Sequence, residues 1–183
     1  MSWKNTTERF GLISIGFHWL MFLLLVAVYA CIEFRELYPK GSDPREALKS
    51  WHFMLGLTVF LLVWLRLLAR LLQTNPKSLS PAISWQAFAA KMTHFSLYLL
   101  MMSMPLMGWL ILSAEGKPIP FYGMALPSLV AENHDLAEFI EEIHKTVGTL
   151  GYALIAFHTL AALFHHYLLK DGTLMRILSI NRH

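Results

Sequence analysis

Cysteine is almost absent: the 183 residues contain one, Cys31, inside an apolar run. A single thiol excludes an intrachain disulfide, and no Cys-x-x-Cys-His occurs, which excludes covalent haem attachment. Charge is scarce too, at 15% of residues, and it is clumped between long uncharged stretches. The net charge is only +3, with no basic stripe interleaved with aromatics, so no nucleic acid partner is expected. A signal peptide is not expected either. The polar start "MSWKNTTERF" leads into an apolar run too long for a signal core and without a small-x-small cleavage site, which reads as a membrane helix that stays. No internal repeat of useful strength is present.

What fills the chain instead is hydrophobic, 56% of residues. Four stretches lack Asp, Glu, Lys and Arg altogether: Phe10–Ile32, Ser50–Leu65, Met92–Ala114 and Thr146–Leu169. A spanning helix needs about 20 apolar residues, so three qualify outright. The second is short, but Arg66 and Arg70 in "RLLARLL" can snorkel to the interface and extend it to about Leu72. The expected fold is an all-α integral membrane protein, a single domain over residues 1–183, with four transmembrane helices at about 10–32, 50–72, 92–114 and 146–169. Pro105 is expected to kink the third span. Membrane lipid is the first partner.

With four spans, both termini and the middle loop share one side. That side holds nine basic residues, Lys4, Arg9, Arg66, Arg70, Lys77, Lys91, Lys170, Arg176 and Arg182, against two acidic ones. The other side holds six basic and ten acidic residues. The excess of basic residues places both termini in the cytoplasm, since every loop is short. The connector "QTNPKSLSPAIS" is Pro/Ser-rich. The apolar first half of "EGKPIPFYGMALPSLVAENHDLAEFIEE" is expected to pack over the outer bundle end, and its acidic half to lead into span four.

Histidines inside such spans are costly unless something binds them. His18 lies about 12 Å inside the cytoplasmic end of span one, and His158 about 16 Å inside that end of span four, so the two can meet. His52 opens span two at the outer side and His144 immediately precedes span four, so they can meet as well. Fourteen residues separate His144 from His158, a rise of about 21 Å and nearly four turns, so both rings leave one face. Gly148 and Gly151 stand on that face and leave room for flat groups. Bare zinc or di-iron sites draw on carboxylates or close histidine pairs, and no carboxylate lies in these spans. Two stacked haems with paired axial histidines fit better: non-covalent b-type groups suited to electron transfer. His94, His165 and His166 lie near the cytoplasmic interface, where a wet histidine needs no ligand. His134 and His183 read as exposed loop and tail residues. The Met and aromatic residues of the spans read as packing or lipid-facing.

These segments resemble the bacterial four-helix di-haem cytochrome b family of the b561 type, which includes superoxide oxidases. The resemblance runs through "SIGFHWLMFLLL", "EFRELYPKG", "WHFMLG", "LVWLRLLARL", "HFSLYLLMMSMPLMGW" and "EGKPIPFYG" to "IHKTVGTLGYALIAFHTLAALFHHYLLKDGTLMRI", its most specific part. It implies a bacterial inner membrane protein holding two b haems. The inner one would be ligated by His18 and His158 and the outer one by His52 and His144, with ubiquinone chemistry near His165 and His94 at the cytoplasmic end.

The family does not settle the electron donor. Superoxide is favoured. Drawing that anion to the outer haem calls on the outer cations Arg35, Lys49, Lys117 and Lys145. Arg35 and Lys117 pair equally well with haem propionates, and Arg66, fourteen residues after His52, is a similar propionate candidate on the inner side. His165, seven residues after His158 on nearly the same face, is the first candidate to hydrogen-bond the quinone or relay a proton. A second reading keeps the haems but takes electrons from a periplasmic dehydrogenase or hydrogenase, as its cytochrome b subunit. A third is a helical transporter or scaffold with incidental histidines, for which the purified protein would be colourless.

Overall fold

The computed structural model describes residues 2–77 and 84–178. Arg182, His183 and residues 78–83 of the middle connector lie outside the described residues.

Four long helices carry the chain: α1 (Leu12–Phe34), α2 (Asp43–Leu71), α3 (Ser84–Ala114) and α4 (His134–Phe164). A short 3-10 turn, Arg35–Leu37, follows α1. A π-helical turn, His165–Leu169, extends α4, and the short α5 (Thr173–Leu178) comes after it. All four long helices are long and apolar enough to cross a membrane. Large apolar side chains such as Leu23, Leu65, Leu99 and Leu160 are more than half exposed, which lipid accommodates and water would penalise. α3 continues through Pro105, whose ring lacks the N–H that would bond the carbonyl one turn earlier.

Three helices begin earlier than the uncharged stretches suggest. α2 starts at Asp43 rather than at residue 50, α3 at Ser84 rather than 92, and α4 at His134 rather than 146. An uncharged run measures hydrocarbon depth, whereas a helix continues into the polar zone for as long as its ends are capped. Pro44 and the first-turn acids Asp43 and Glu46 suit the start of α2. The Asn133 side chain accepts the Leu136 N–H at 3.0 Å and caps α4. His52 is therefore the tenth residue of α2 and His144 the eleventh of α4, each inside its helix although it stands at the outer end of the uncharged run. His134, expected in a loop, is the first residue of α4 and pairs with Glu132 at 3.3 Å.

The fold is mostly helical rather than wholly so. β1 (Ile119–Phe121) pairs antiparallel with β2 (Met124–Leu126), Ile119 opposite Leu126 and Phe121 opposite Met124. Tyr122 and Gly123, both at positive φ (46° and 85°), make the two-residue turn whose twist matches a hairpin. Its tyrosine is held there by the Thr58 hydroxyl, 3.0 Å from the Tyr122 hydroxyl, and by its N–H on the Met54 sulfur. Ile119 is buried with Leu57 and Leu112, flanked by Phe53 and Trp109, so the apolar half of this loop does pack on the helices.

The chain packs as two compact units, and each long helix contributes a segment to both. One unit comprises Met1–Leu20, Trp64–Leu99 and Leu150–His183. In it, Asn5 Oδ1 accepts from the Gly11 N–H and the Ser14 hydroxyl, and Trp19 Nε1 donates to the Ile177 carbonyl. The other comprises Met21–Val63 and Leu100–Thr149. There the Arg45 guanidinium holds the turn after α1, donating to both Glu36 oxygens and to the Arg35 and Tyr38 carbonyls.

Candidate functional site

In the second unit α2 and α4 bring His52 and His144 together, ring centres 6.3 Å apart. His52 Nδ1 lies 3.0 Å from the Val28 carbonyl of α1. A carbonyl only accepts, so Nδ1 carries the hydrogen and Nε2 keeps its lone pair, the form in which imidazole binds a metal. His144 Nδ1 is buried and has no hydrogen-bond partner. Gly108 of α3 stands beside this ring: a Cβ there would lie 3.7 Å from His144 Cε1. A Cβ on Gly56, one turn after His52, would meet nothing within 4 Å, so that face of α2 is open. Gly148 does not provide the room expected of it. A Cβ there would press on the Met104 methyl at 3.3 Å, and its carbonyl accepts the Tyr29 hydroxyl at 2.9 Å. It serves close helix packing.

In the first unit α1 and α4 bring His18 and His158 together, again with ring centres 6.3 Å apart. His94 of α3 joins them, its ring centre 5.3 Å from that of His158, while the residue stays exposed as expected of an interfacial histidine. Arg66 Nη2 lies 3.4 Å from His18 Nδ1, and its guanidinium and that of Arg70 both lie over the Tyr98 ring. A guanidinium only donates, so this contact needs His18 Nδ1 as acceptor.

Both pairs suit a metal held between two imidazoles. A bond of about 2.0 Å on each side, plus about 1.1 Å from the nitrogen to the ring centre, puts trans ring centres about 6.2 Å apart. Among the described residues no group of three or more His, Cys, Asp or Glu is placed to hold a metal ion, so each pair offers two nitrogens. Two facing imidazoles, an orphaned buried Nδ1 and an open glycine face would suit a planar tetrapyrrole better than a bare ion.

The four expected outer cations are all paired with carboxylates. Arg35 pairs with Glu36, Lys49 with Glu46 and Lys117 with Glu115, each at 3.0 Å, and Lys145 pairs with Glu141 at 2.7 Å. Such exposed pairs are worth about 0–1 kcal/mol and open readily. At the other end of the chain His165 Nδ1 lies 2.5 Å from Asp171 Oδ2, and Asp171 Oδ1 accepts the Thr173 N–H at 2.9 Å. Burial alone would raise the Asp171 carboxyl; hydrogen bonds from His165 and Thr173 outweigh it and hold the group below its ordinary value. His166 packs against Tyr167, with its Nδ1 buried and unpartnered.

Sequence reasoning missed the Val28 carbonyl, Tyr29 and Asp171. A backbone acceptor has no side-chain signature, and Tyr29 reads like any aromatic of a span. Asp171 carried a signal, since a lone acid in "HHYLLKDGT" beside two histidines invites pairing.

Four bilayer-length helices that gather histidines into facing pairs define a multi-pass helical membrane protein with imidazole sites in its spans. A family model described as prokaryotic cytochrome b561 matches residues 9–179. The chain belongs to the prokaryotic cytochrome b561 family of membrane electron-transfer proteins, and membership implies binding of haem b. It is 35% identical over 171 residues to cytochrome b561 homolog 1 of Escherichia coli (strain K12), covering 93% of this chain and 97% of that relative. It is 31% identical over 175 residues to the probable superoxide oxidase CybB of Yersinia pestis, covering 96% and 98%. Cytochrome b561 homolog 2 of Escherichia coli (strain K12) is 30% identical over 179 residues, covering 97% and 95%.

Proposed function

We propose that the chain holds two b haems, one between His52 and His144 and one between His18 and His158, and oxidises superoxide on its outer side while reducing ubiquinone near the cytoplasm. The observation that carries this reading is the equal spacing of the two histidine pairs, 6.3 Å between ring centres in each. A haem held between such a pair of histidines would supply single-electron transfer. Two superoxide anions lose one electron each to become dioxygen, and ubiquinone gains those two electrons and two cytoplasmic protons. The protein sits in the bacterial inner membrane with both termini cytoplasmic, as the basic residues favour.

The residues have separable tasks. Val28 orients His52 for ligation through Nε2. A ligating His18 needs its hydrogen on Nδ1, and two donors cannot share a hydrogen bond, so Arg66 leaves His18 for an acceptor such as a haem propionate. Arg35, Lys49, Lys117 and Lys145 draw the anion once their surface pairs open. His165 and His94 face the quinone. The name of the Yersinia pestis relative supports superoxide as donor. The carboxylate partnering of all four cations favours the second reading, electrons from a periplasmic dehydrogenase or hydrogenase.

Stopped-flow spectra of the purified protein decide between them. Reduction of bound haem by superoxide, followed by reoxidation on adding ubiquinone, is the expected result. Haem that stays oxidised under superoxide but is reduced by a co-purifying partner would favour the second reading, and a colourless protein would exclude both.

A further inference from the structure

We propose that Asp171 is a positioning residue that makes Nε2 of His165 the atom handing a proton to ubiquinone. The inference rests on the reading that quinone is reduced at this end of the chain, and it adds a group that reading does not contain.

The local backbone is shaped to bring this acid to the ring. α4 widens into the π-helical turn His165–Leu169, and such turns re-aim side chains. Lys170 then takes a positive φ of 52°, uncommon for a residue with a Cβ, and the Asp171 N–H returns to the His165 carbonyl at 3.3 Å. The result is an Asp171 side chain only 8% exposed, with each oxygen committed: Oδ2 to His165 Nδ1 and Oδ1 to the Thr173 N–H. His165 itself is 32% exposed. Other charged or titratable groups here are His166 and Lys170 beside the turn and Arg176 on α5, the element packed against it; Arg176 donates to the Lys77 carbonyl.

A carboxylate only accepts, so His165 Nδ1 keeps its hydrogen throughout and Nε2 is the exchanging nitrogen. When ubiquinone takes up an electron, the Nε2–H bond breaks and a quinone O–H bond forms. Nε2 is then refilled from the cytoplasm, and the Asp171 charge supports the imidazolium between transfers. The electrons come from the bound haem and ultimately from the donor.

The test is Asp171→Asn. Asparagine has one acceptor oxygen for two donors, so satisfying the Thr173 N–H turns its NH2 toward Nδ1 and moves the ring hydrogen to Nε2. Quinone turnover should fall about tenfold to a hundredfold, mainly in kcat, while haem content and haem reduction by the donor stay as in the wild type. 15N NMR of ring-labelled histidine, with His165 assigned through His165→Gln, should show the Nδ1–H form in the wild type and its loss in the variant. Asp171→Glu, which keeps two acceptor oxygens, should recover both. Should the Asn variant fail to load haem, the same two readings on the Glu variant decide. In any variant that loads, turnover must follow the Nδ1–H signal; signal kept with turnover lost, or signal lost with turnover kept, overturns the assignment. Haem-loaded wild type that is reduced by its donor yet never reoxidised by ubiquinone would overturn the quinone reading itself, and this inference with it.

Discussion

The Nδ1 nitrogen of His52, on α2, lies 3.0 Å from the carbonyl oxygen of Val28, on α1. Because that oxygen cannot donate, the contact selects one tautomer of His52 and leaves Nε2 available. His144 opposite has a buried Nδ1 with no such partner, so the pair is asymmetric: one ring is set by the backbone and the other is not. The asymmetry bears on ligation directly, since metal-binding imidazoles ordinarily rely on a second hydrogen bond to fix their orientation.

Single alanine substitutions should each remove one haem. His52→Ala is expected to carry only the haem of the His18–His158 pair, and His158→Ala only that of the His52–His144 pair. A pyridine haemochrome assay should give about one haem per chain in each, against about two in the wild type. Two haems per chain in either variant would refute the pairing.

His94 provides the sharpest control, because its ring lies nearer to His158 than the His18 ring does. Its 5.3 Å spacing is too short for a metal between two trans imidazoles, which needs about 6.2 Å. His94→Ala should therefore keep both haems and slow quinone reduction. Loss of one Soret contribution would instead make His94 a ligand.

Arg66 should matter to haem retention rather than to ligand identity. Arg66→Gln removes a charged donor, and a charged hydrogen bond is worth about 1.5–3 kcal/mol, so the haem of the His18–His158 pair should bind roughly tenfold to a hundredfold more weakly. Arg66→Lys should recover only part, for lack of the planar fork. Haem loss during dilution in detergent, followed at the Soret band, measures it.

If superoxide is steered by Lys117 and Lys145, their carboxylate partners restrain the attraction. Glu115→Gln and Glu141→Gln should each speed haem reduction by superoxide about twofold at low salt, and the gain should vanish at high ionic strength. Rates indifferent to both changes would point to a protein donor.

The Asp171 carboxyl is held below its ordinary value, so its contribution is present above the unfolded value of about 3.9 and is lost as pH falls through the folded one. The Thr173 amide, which donates to Asp171 Oδ1, should show an NMR titration with a midpoint under that value. In Asp171→Asn the titration should be absent.

The sequence by itself determined that this chain lives in a bilayer and where along it the histidines fall, because hydrocarbon permits long uncharged helices and little else. It also determined, through depth along helices of known rise, that His18 can meet His158 and His52 can meet His144. Helix starts were less legible: α2, α3 and α4 run seven to twelve residues past the uncharged stretches, since caps rather than hydropathy end a helix. Only the tertiary structure decided which groups surround the rings. The Val28 carbonyl on His52, Arg66 and His94 beside the His18–His158 pair, Gly108 against His144, and the turn that brings Asp171 back to His165 all depend on how helices rotate about their axes and where a backbone departs from regular geometry. Those choices are settled by side-chain packing between elements distant in the chain, which hydropathy and spacing along one helix do not encode.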